Sequence, residues 1–362
     1  MYYRIIMELQ TYIHNNPEYI NDFKKCGFKV NKYKELYIVK YPYGFSDFKE
    51  EWMRYCRGCI INSDTNKVIC VPPIKSRDID YEYLKKNEYK IENLIDGTMI
   101  NIFYHNTVWK MSSRSEIGCN NKWKSKKSFK ELFNECSPTF NYNELDTNCC
   151  YSFILLHVSN RNISIIHECK LVLVDVYNFK LMKYISLDSI QSEHFEVNKE
   201  IKLESTDNTM PLEYIMDSLI SQDIDSNWKG YTFKSNGLRF NVINPTYKED
   251  KKKVINSNNK LYIYLKSKKN KKIQSYLVLY PEDKHLFENY RNKYIHLINF
   301  IYNEYVDVYI KKNKGKNNVI KNELYKIHGY YLNNQKINYT FVSNFVDKLT
   351  VGRIMHLFNL IR

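Results

Sequence analysis

The feature that most restricts this chain is a change of period near residue 247. Between Phe28 and Ile243 the apolar residues fall in short runs: FKVNKYKELYIVKY, CRGCIINS, KVICVPP, MINIFYHN and TVWKMSS, then CYSFILL, NISIIHE, KLVLVDVYNF, YTFK and LRFNVI. Runs of this length, punctuated by Asn, Asp, Gly and Pro, predict antiparallel strands and hairpins rather than alternating βα units. His105-Asn106 reads as one hairpin turn, and LVLVDV, nearly continuous in apolar residues, as a central strand buried on both faces. After Tyr247 the spacing becomes helical. Phe287, Tyr290, Tyr294, Leu297, Ile301, Tyr305 and Val308 recur every three or four residues behind the start signal Pro281-Glu282-Asp283. Shorter helices are expected beyond the loop KKNKGKNN, and also over 2–26, where Ile5, Leu9, Tyr12 and Ile13 form one stripe, over 127–135 and over 211–221. The predicted fold class is α+β: a domain of antiparallel sheets over 1–250, then an all-helical domain over 251–362, joined at the charged stretch KEDKKK.

Charge divides along the same line. Residues 251–362 hold 22 Lys+Arg against 7 Asp+Glu, which accounts for the whole net charge of +15. A basic domain beside a neutral one faces phosphates, so RNA is the expected partner and Lys268, Lys269, Lys271, Lys272, Lys311, Lys312, Lys314, Lys316 and Arg353 the expected contacts to its backbone. The plainer alternative is a lysine-rich solvated surface in a chain biased toward Lys, Asn, Ile and Tyr.

With 43% hydrophobic residues the chain of 362 residues is too apolar for disorder throughout. No uncharged apolar run is long enough to span a membrane, and MYYRIIMELQTYIHNN lacks the apolar core of a signal peptide. Nine cysteines, an odd number, fit reduced thiols better than a disulfide framework, Cys56/Cys59 and Cys149/Cys150 included. A soluble, cytoplasmic protein is expected, without membrane contact.

Seven landmarks stand in order along the strand-rich part: Arg57-Gly58 in RYCRG, Lys75 in VPPIKS, Asp96-Gly97 in IDGT, Arg114 in SSRS, Phe153 and Asn160-Arg161 in FILLHVSNR, Gly230 in KGYTFK and Arg239 in LRFNVINPTY. Over about residues 30–247 the chain resembles the nucleotidyltransferase domain of RNA ligases, DNA ligases and mRNA capping enzymes, nearest the bacteriophage-type RNA ligases and their relatives in large DNA viruses. The resemblance implies a lysine nucleophile, metal-holding carboxylates and a late pair of lysines that neutralise the transferring phosphoryl group. At those positions this chain has Leu94, Ile154 for one carboxylate, Lys229 for the other, and Asn241 and Ile243 for the lysines.

An apolar side chain offers neither nucleophile nor metal ligand, so no catalytic residue, metal or cofactor is assigned. The resemblance instead implies an inactive, RNA-binding relative. Its pocket would use Arg57, Lys75 and Arg114 for phosphate, Leu94, Asp96, Gly97, Ile154, Lys229, Arg239 and Asn241 as walls, and Trp228 or Trp109 to stack a base, such as a methylated 5′ cap. Such a protein would serve a viral RNA-processing, transcription or translation complex with protein partners, in the host cytoplasm or the virion. Two alternatives stay open: an active ligase or capping-type enzyme whose lysine has moved to Lys110 or Lys90, and a scaffold that contacts only proteins.

Overall fold

A computed structural model describes residues 5–201, 227–313 and 320–360. The predicted helix over 211–221 lies outside the described residues, as do Lys314 and Lys316. The chain forms two compact units, Met1–Glu249 and Asp250–Arg362.

The first unit is built on three sheets. Helices α1 (Ile5–Asn15) and α2 (Tyr19–Lys25) precede a four-stranded antiparallel meander, β1 (Lys29–Tyr33), β2 (Leu36–Lys40), β3 (Arg57–Asn62) and β4 (Lys67–Cys70). After the short α3 (Tyr81–Lys85), β5 (Lys90–Asn93) leaves for a different sheet. The six-stranded sheet follows: β6 (Thr98–His105), β7 (Val108–Ser113), α4 (Phe129–Cys136), β8 (Cys149–Leu156), β9 (Lys170–Asn178), β10 (Lys183–Tyr184) and β11 (Glu196–Val197). Its order is β10-β9-β8-β6-β7, antiparallel, with β11 joined to β9 in parallel. The last hairpin, β12 (Gly230–Ser235) and β13 (Leu238–Ile243), completes a three-stranded sheet ordered β13-β12-β5.

Local chemistry explains the connections. The β12–β13 turn is Asn236-Gly237, with both φ angles positive at 49° and 78°, the pattern that matches the twist of a two-residue hairpin. The β6–β7 turn falls on Asn106-Thr107, both at positive φ, one residue beyond the His105-Asn106 expected. His105 stays in register opposite Val108. Strand β9 is buried along its length except at its ends, as its apolar run implies. The predicted strand NISIIHE is absent: residues 162–168 form an irregular loop, because their backbone donors are used by a side chain rather than a neighbouring strand. Helix α4 opens on a complete capping box, in which Ser128 and Glu131 each accept from the other's backbone N–H.

Hydrophobic cores lie under each sheet. Leu9, Phe23 and Trp52 pack beneath β2 and β3, Phe133 and Phe153 beneath the six-stranded sheet, and Leu84, Ile91, Phe233 and Phe240 behind the three-stranded one. That leaves the other face of β5, β12 and β13 free to carry polar groups.

The second unit is helical. After α5 (Pro245–Lys253), which spans the junction, come α6 (Lys260–Lys269), α7 (Ile273–Leu279), α8 (Lys284–Tyr305), α9 (Lys321–Leu332), α10 (Tyr339–Lys348) and α11 (Val351–Leu360). Phe287, Tyr294, Leu297, Ile301 and Tyr305 form the buried stripe of α8, which widens into a π turn at Val306–Ile310. No helix among the described residues is long and apolar enough to cross a membrane.

Candidate functional site

Strand alternation decides which side chains meet. Opposite Lys234 stand Lys90 on β5 and Arg239 on β13; opposite Thr232 stand Glu92 and Asn241; opposite Gly230 stands Ile243. Directly paired residues share a face, and the next residue on that side of β5 is Leu94, whose N–H bonds the Gly230 carbonyl at 2.8 Å. Leu94 thus faces into a cavity of about 620 Å3 lined by residues 93–96, 164–168, 196–199 and 227–229, with Leu156, Lys170 and Val172.

Asp96 lies in the wall of this cavity and is 6% exposed. Its Oδ2 accepts from the N–H groups of Ile163 and Ser164 at 3.0 and 3.2 Å, and its Oδ1 accepts from the Asn162 amide at 3.3 Å. The Lys229 ammonium stands 3.6 Å from Oδ1 and donates to the Ile95 carbonyl at 3.3 Å. Burial on its own would raise the carboxyl pKa, but Lys229, the two N–H groups and the Tyr247 hydroxyl together hold it below the usual range. These bonds are why 162–168 is a loop. Gly97 is required beside it: a Cβ there would run into the Ile154 side chain and stand 2.8 Å from the Leu155 carbonyl oxygen.

The remaining lining is balanced in charge. Asp96, Glu168 and Glu196 face Lys170, Lys199 and Lys229, and Lys170 pairs with Glu196 at 2.9 Å and Glu168 at 3.0 Å. Those hydrogen bonds, Glu196 first, raise the Lys170 pKa. Ser164 adds a buried hydroxyl without a partner. Trp228, beside Lys229, meets Tyr231 edge-on at 4.5 Å and reaches the Asn93 side chain through its indole N–H at 3.4 Å.

A buried polar string leads from the cavity along the sheet. Asn198 in the cavity wall donates to Glu92 at 3.1 Å, and Lys234 joins Glu92 at 2.8 Å to Asp175 at 2.7 Å. Arg239 closes on the same Asp175. Asn241 is held by the Thr232 hydroxyl at 2.9 Å. Beyond Arg239 lies Arg57, whose guanidinium is depressed first by burial and then by the like charges of Arg114 and Arg239. Arg114 lies over the Tyr41 ring at 4.7 Å and donates to the Tyr41 carbonyl at 2.9 Å. Neither Arg57 nor Arg114 has an acidic partner among the described residues. Lys75 has its N–H bonded to Arg54 O at 3.1 Å, two residues before Arg77, which pairs with Phe240 on β13.

The structure therefore gathers Leu94, Asp96, Trp228 and Lys229 around one cavity, sets Gly97 and Ile154 behind it, and places Arg239 and Asn241 farther along the same sheet face. Arg57 and Arg114 form a second, cationic group. Lys110 does not line the cavity; its charge acts on Glu35. Trp109 packs among Tyr104, Tyr142 and Tyr151. Glu168, Lys170, Glu196 and Ser164 were not singled out from sequence, since the strand-like run NISIIHE gave no sign of a loop wrapped on a carboxylate. The donor set does not fit a divalent metal, which wants several unshared carboxylate oxygens: Asp96 is saturated, Ile154 is apolar and Lys229 is a cation. Among the described residues no group of three or more His, Cys, Asp or Glu could hold one.

In the helical unit, Lys268 bonds Asp347 and lies over the Tyr294 ring, Lys269 donates to Leu349 O at 2.6 Å, Lys311 pairs with Asp307 at 2.9 Å, and Arg353 grips the buried Glu323 at 2.7 and 2.8 Å. Lys271, Lys272 and Lys312 are exposed without an ion pair among the described residues.

No family model and no curated protein matches the chain. Among solved structures it is similar to a putative ATP-dependent DNA ligase from Aquifex aeolicus, at 12% identity and a TM-score of 0.44 over 76% of each chain. It is also similar to a Naegleria gruberi RNA ligase with PPi, at 12% identity and a TM-score of 0.37 over 50% of this chain and 59% of that one. A mutant of the Naegleria ligase with ATP and Mn gives 11% identity and a TM-score of 0.35 over 48% and 54%. The chain spans little more than half the length of the Naegleria proteins it matches.

Proposed function

We propose that this is a ligase-like fold that no longer transfers nucleotides and that binds RNA. The observation that carries this reading is the cavity wall itself: Leu94 stands where the resemblance asks for a nucleophilic amine, and the neighbouring Asp96 is already committed to Lys229 and three N–H donors. Without a nucleophile the covalent route is closed. With apolar Leu94, Ile95, Leu156 and Val172, a flat Trp228 and balanced charges, the cavity suits a planar, weakly hydrated group such as a base or a methylated cap better than a triphosphate. Arg57 and Arg114, neither of which has an acidic partner among the described residues, supply guanidinium groups for phosphate, and the basic helical unit supplies further cations for an RNA backbone. The finer picture is a subunit of a viral RNA-processing, transcription or translation complex.

The enzyme alternative is weaker on geometry. Lys110 is not among the residues that line the cavity, and Lys90 is bonded to Asp188 at 2.6 Å and Glu200 at 3.2 Å, which raises its pKa and keeps it protonated. Incubation with α-labelled ATP or GTP and a divalent metal is expected to leave the protein unlabelled; a labelled lysine would overturn the proposal. RNA affinity is expected to fall steeply with salt and to drop for Arg57→Glu. Weak affinity indifferent to Arg57→Glu would favour the scaffold reading instead.

A further inference from the structure

A relay of three side chains lies just beyond the end of β8, outside the Leu94 cavity. Ser159 Oγ stands 2.9 Å from His157 Nδ1, and His157 Nε2 stands 3.1 Å from Glu135 Oε2 in the last turn of α4. The neighbours of the ring decide which nitrogen carries its proton. The Ser159 backbone N–H, which can only donate, meets Nδ1 at 3.1 Å, so Nδ1 is the acceptor and the proton on Nε2 points to the carboxylate. Glu135 stays ionised: its Oε1 holds the Lys127 ammonium at 2.6 Å, and Lys127 first, then His157, keep its carboxyl below the usual range.

Burial separates the members of the relay. His157 is 5% exposed, whereas Ser159 faces solvent. The fold uses the imidazole, which caps the short 3-10 turn Val158–Asn160 by accepting the Ser159 N–H. It does not use the hydroxyl in that cap. Ser159 Oγ is bonded to His157 and, at 3.2 Å, to the Ser125 hydroxyl, and to no backbone group. A hydroxyl within reach of a neutral imidazole, with a carboxylate orienting the far side of the ring, is the arrangement that activates a serine as a nucleophile.

We propose that Ser159 is a nucleophile for acyl transfer from activated esters, with His157 as its base. Oγ bonds to the acyl carbon, the bond from that carbon to the leaving oxygen breaks, and the hydroxyl proton passes to His157 Nδ1 and on to the departing alkoxide. Water then attacks by the same route, so that one ester and one water give one acid and one alcohol. Glu135 is a positioning residue, which holds the ring and stabilises the charge it gains. The groups that meet at the hydroxyl, the Nδ1 side of the imidazole and Ser125, are neutral and suit an uncharged acyl carbon. A phosphoryl donor asks for cations or a metal, and the Lys127 ammonium is held by Glu135. No residue of the Leu94 cavity takes part, so the inference stands apart from the RNA-binding reading.

The test treats the full chain with a fluorescent fluorophosphonate, which bonds through phosphorus to an activated serine oxygen as fluoride departs with the proton, and with p-nitrophenyl acetate. One adduct is expected, on the peptide that contains Ser159. Ser159→Ala, which keeps the capping N–H, is expected to melt with the parent, to take no label and to release p-nitrophenolate about a hundredfold more slowly. Glu135→Gln, of the same shape but without the charge, is expected to lower kcat about tenfold, a part of what the base contributes, with KM and melting temperature unchanged. Absence of an adduct, an adduct on another serine, or an adduct formed as fast in Glu135→Gln as in the parent would overturn the proposal. Ester cleavage no faster than that of Ser159→Ala would overturn it as well.

Discussion

Leucine at position 94 offers no amine to the cavity it lines, and the acid beside it is already engaged. Asp96 is engaged by Lys229 and by the 162–168 loop. Restoring one side chain is then not enough: Leu94→Lys is expected to fold, because the side chain is only half-buried, yet to remain unlabelled by radioactive ATP or GTP. The same pair has a pH signature. A carboxyl whose folded pKa lies below its unfolded value contributes stability in full above the unfolded value, about 3.9, and loses it as pH falls through the folded one. Urea midpoints of the protein should therefore fall as pH drops below about 4, and Asp96→Asn should show a shallower acid limb. Glu92 has the opposite sign, since burial raises its pKa. The sequence singles out Asp96 and Lys229 because each adjoins a glycine of the pattern, and Leu94 because it stands two residues before Asp96. Ser164 and Glu168 were not legible in it, because a loop held by a distant carboxylate leaves no local trace.

At the scale of elements, the strands could be read from their short apolar runs between polar breaks, while the one hairpin turn read from sequence, His105-Asn106, falls one residue early. The run Asn162–Glu168 misleads for a physical reason: isoleucines favour strands in general, but two of its N–H groups are spoken for by Asp96. Close approach between elements tests the arrangement directly. Gly58, at φ +102°, would place a Cβ 2.9 Å from the Cα and carbonyl oxygen of Arg114. Gly58→Ala is expected to cost about 2–3 kcal/mol in denaturant titration and, by displacing Arg114, to weaken RNA binding. Ser128→Ala, which removes the cap of α4, is expected to cost about 1 kcal/mol without touching affinity.

Over the whole molecule the change of period, the change of charge and the division into units fall within a few residues of one another. A chain ending at residue 249 is expected to unfold cooperatively, since its three sheets and their cores lie within that length, and to lose most of its RNA affinity and salt slope in filter binding. Composition could identify the basic unit but not which of its cations are available: Lys268, Lys269 and Arg353 look like phosphate ligands in sequence and act as internal braces in the fold. The pairing that spends them depends on helix packing, which periodicity does not reveal.

The even tally of acids and amines around the Leu94 cavity means that the hollow exerts almost no pull at a distance. On the proposed reading, a guest there would be retained by shape and contact and would feel the ionic atmosphere little, whereas a strand held by arginines and lysines would be released as that atmosphere thickens. Added salt would, on that reading, weaken the hold on the RNA backbone while leaving the contact made in the cavity nearly unchanged.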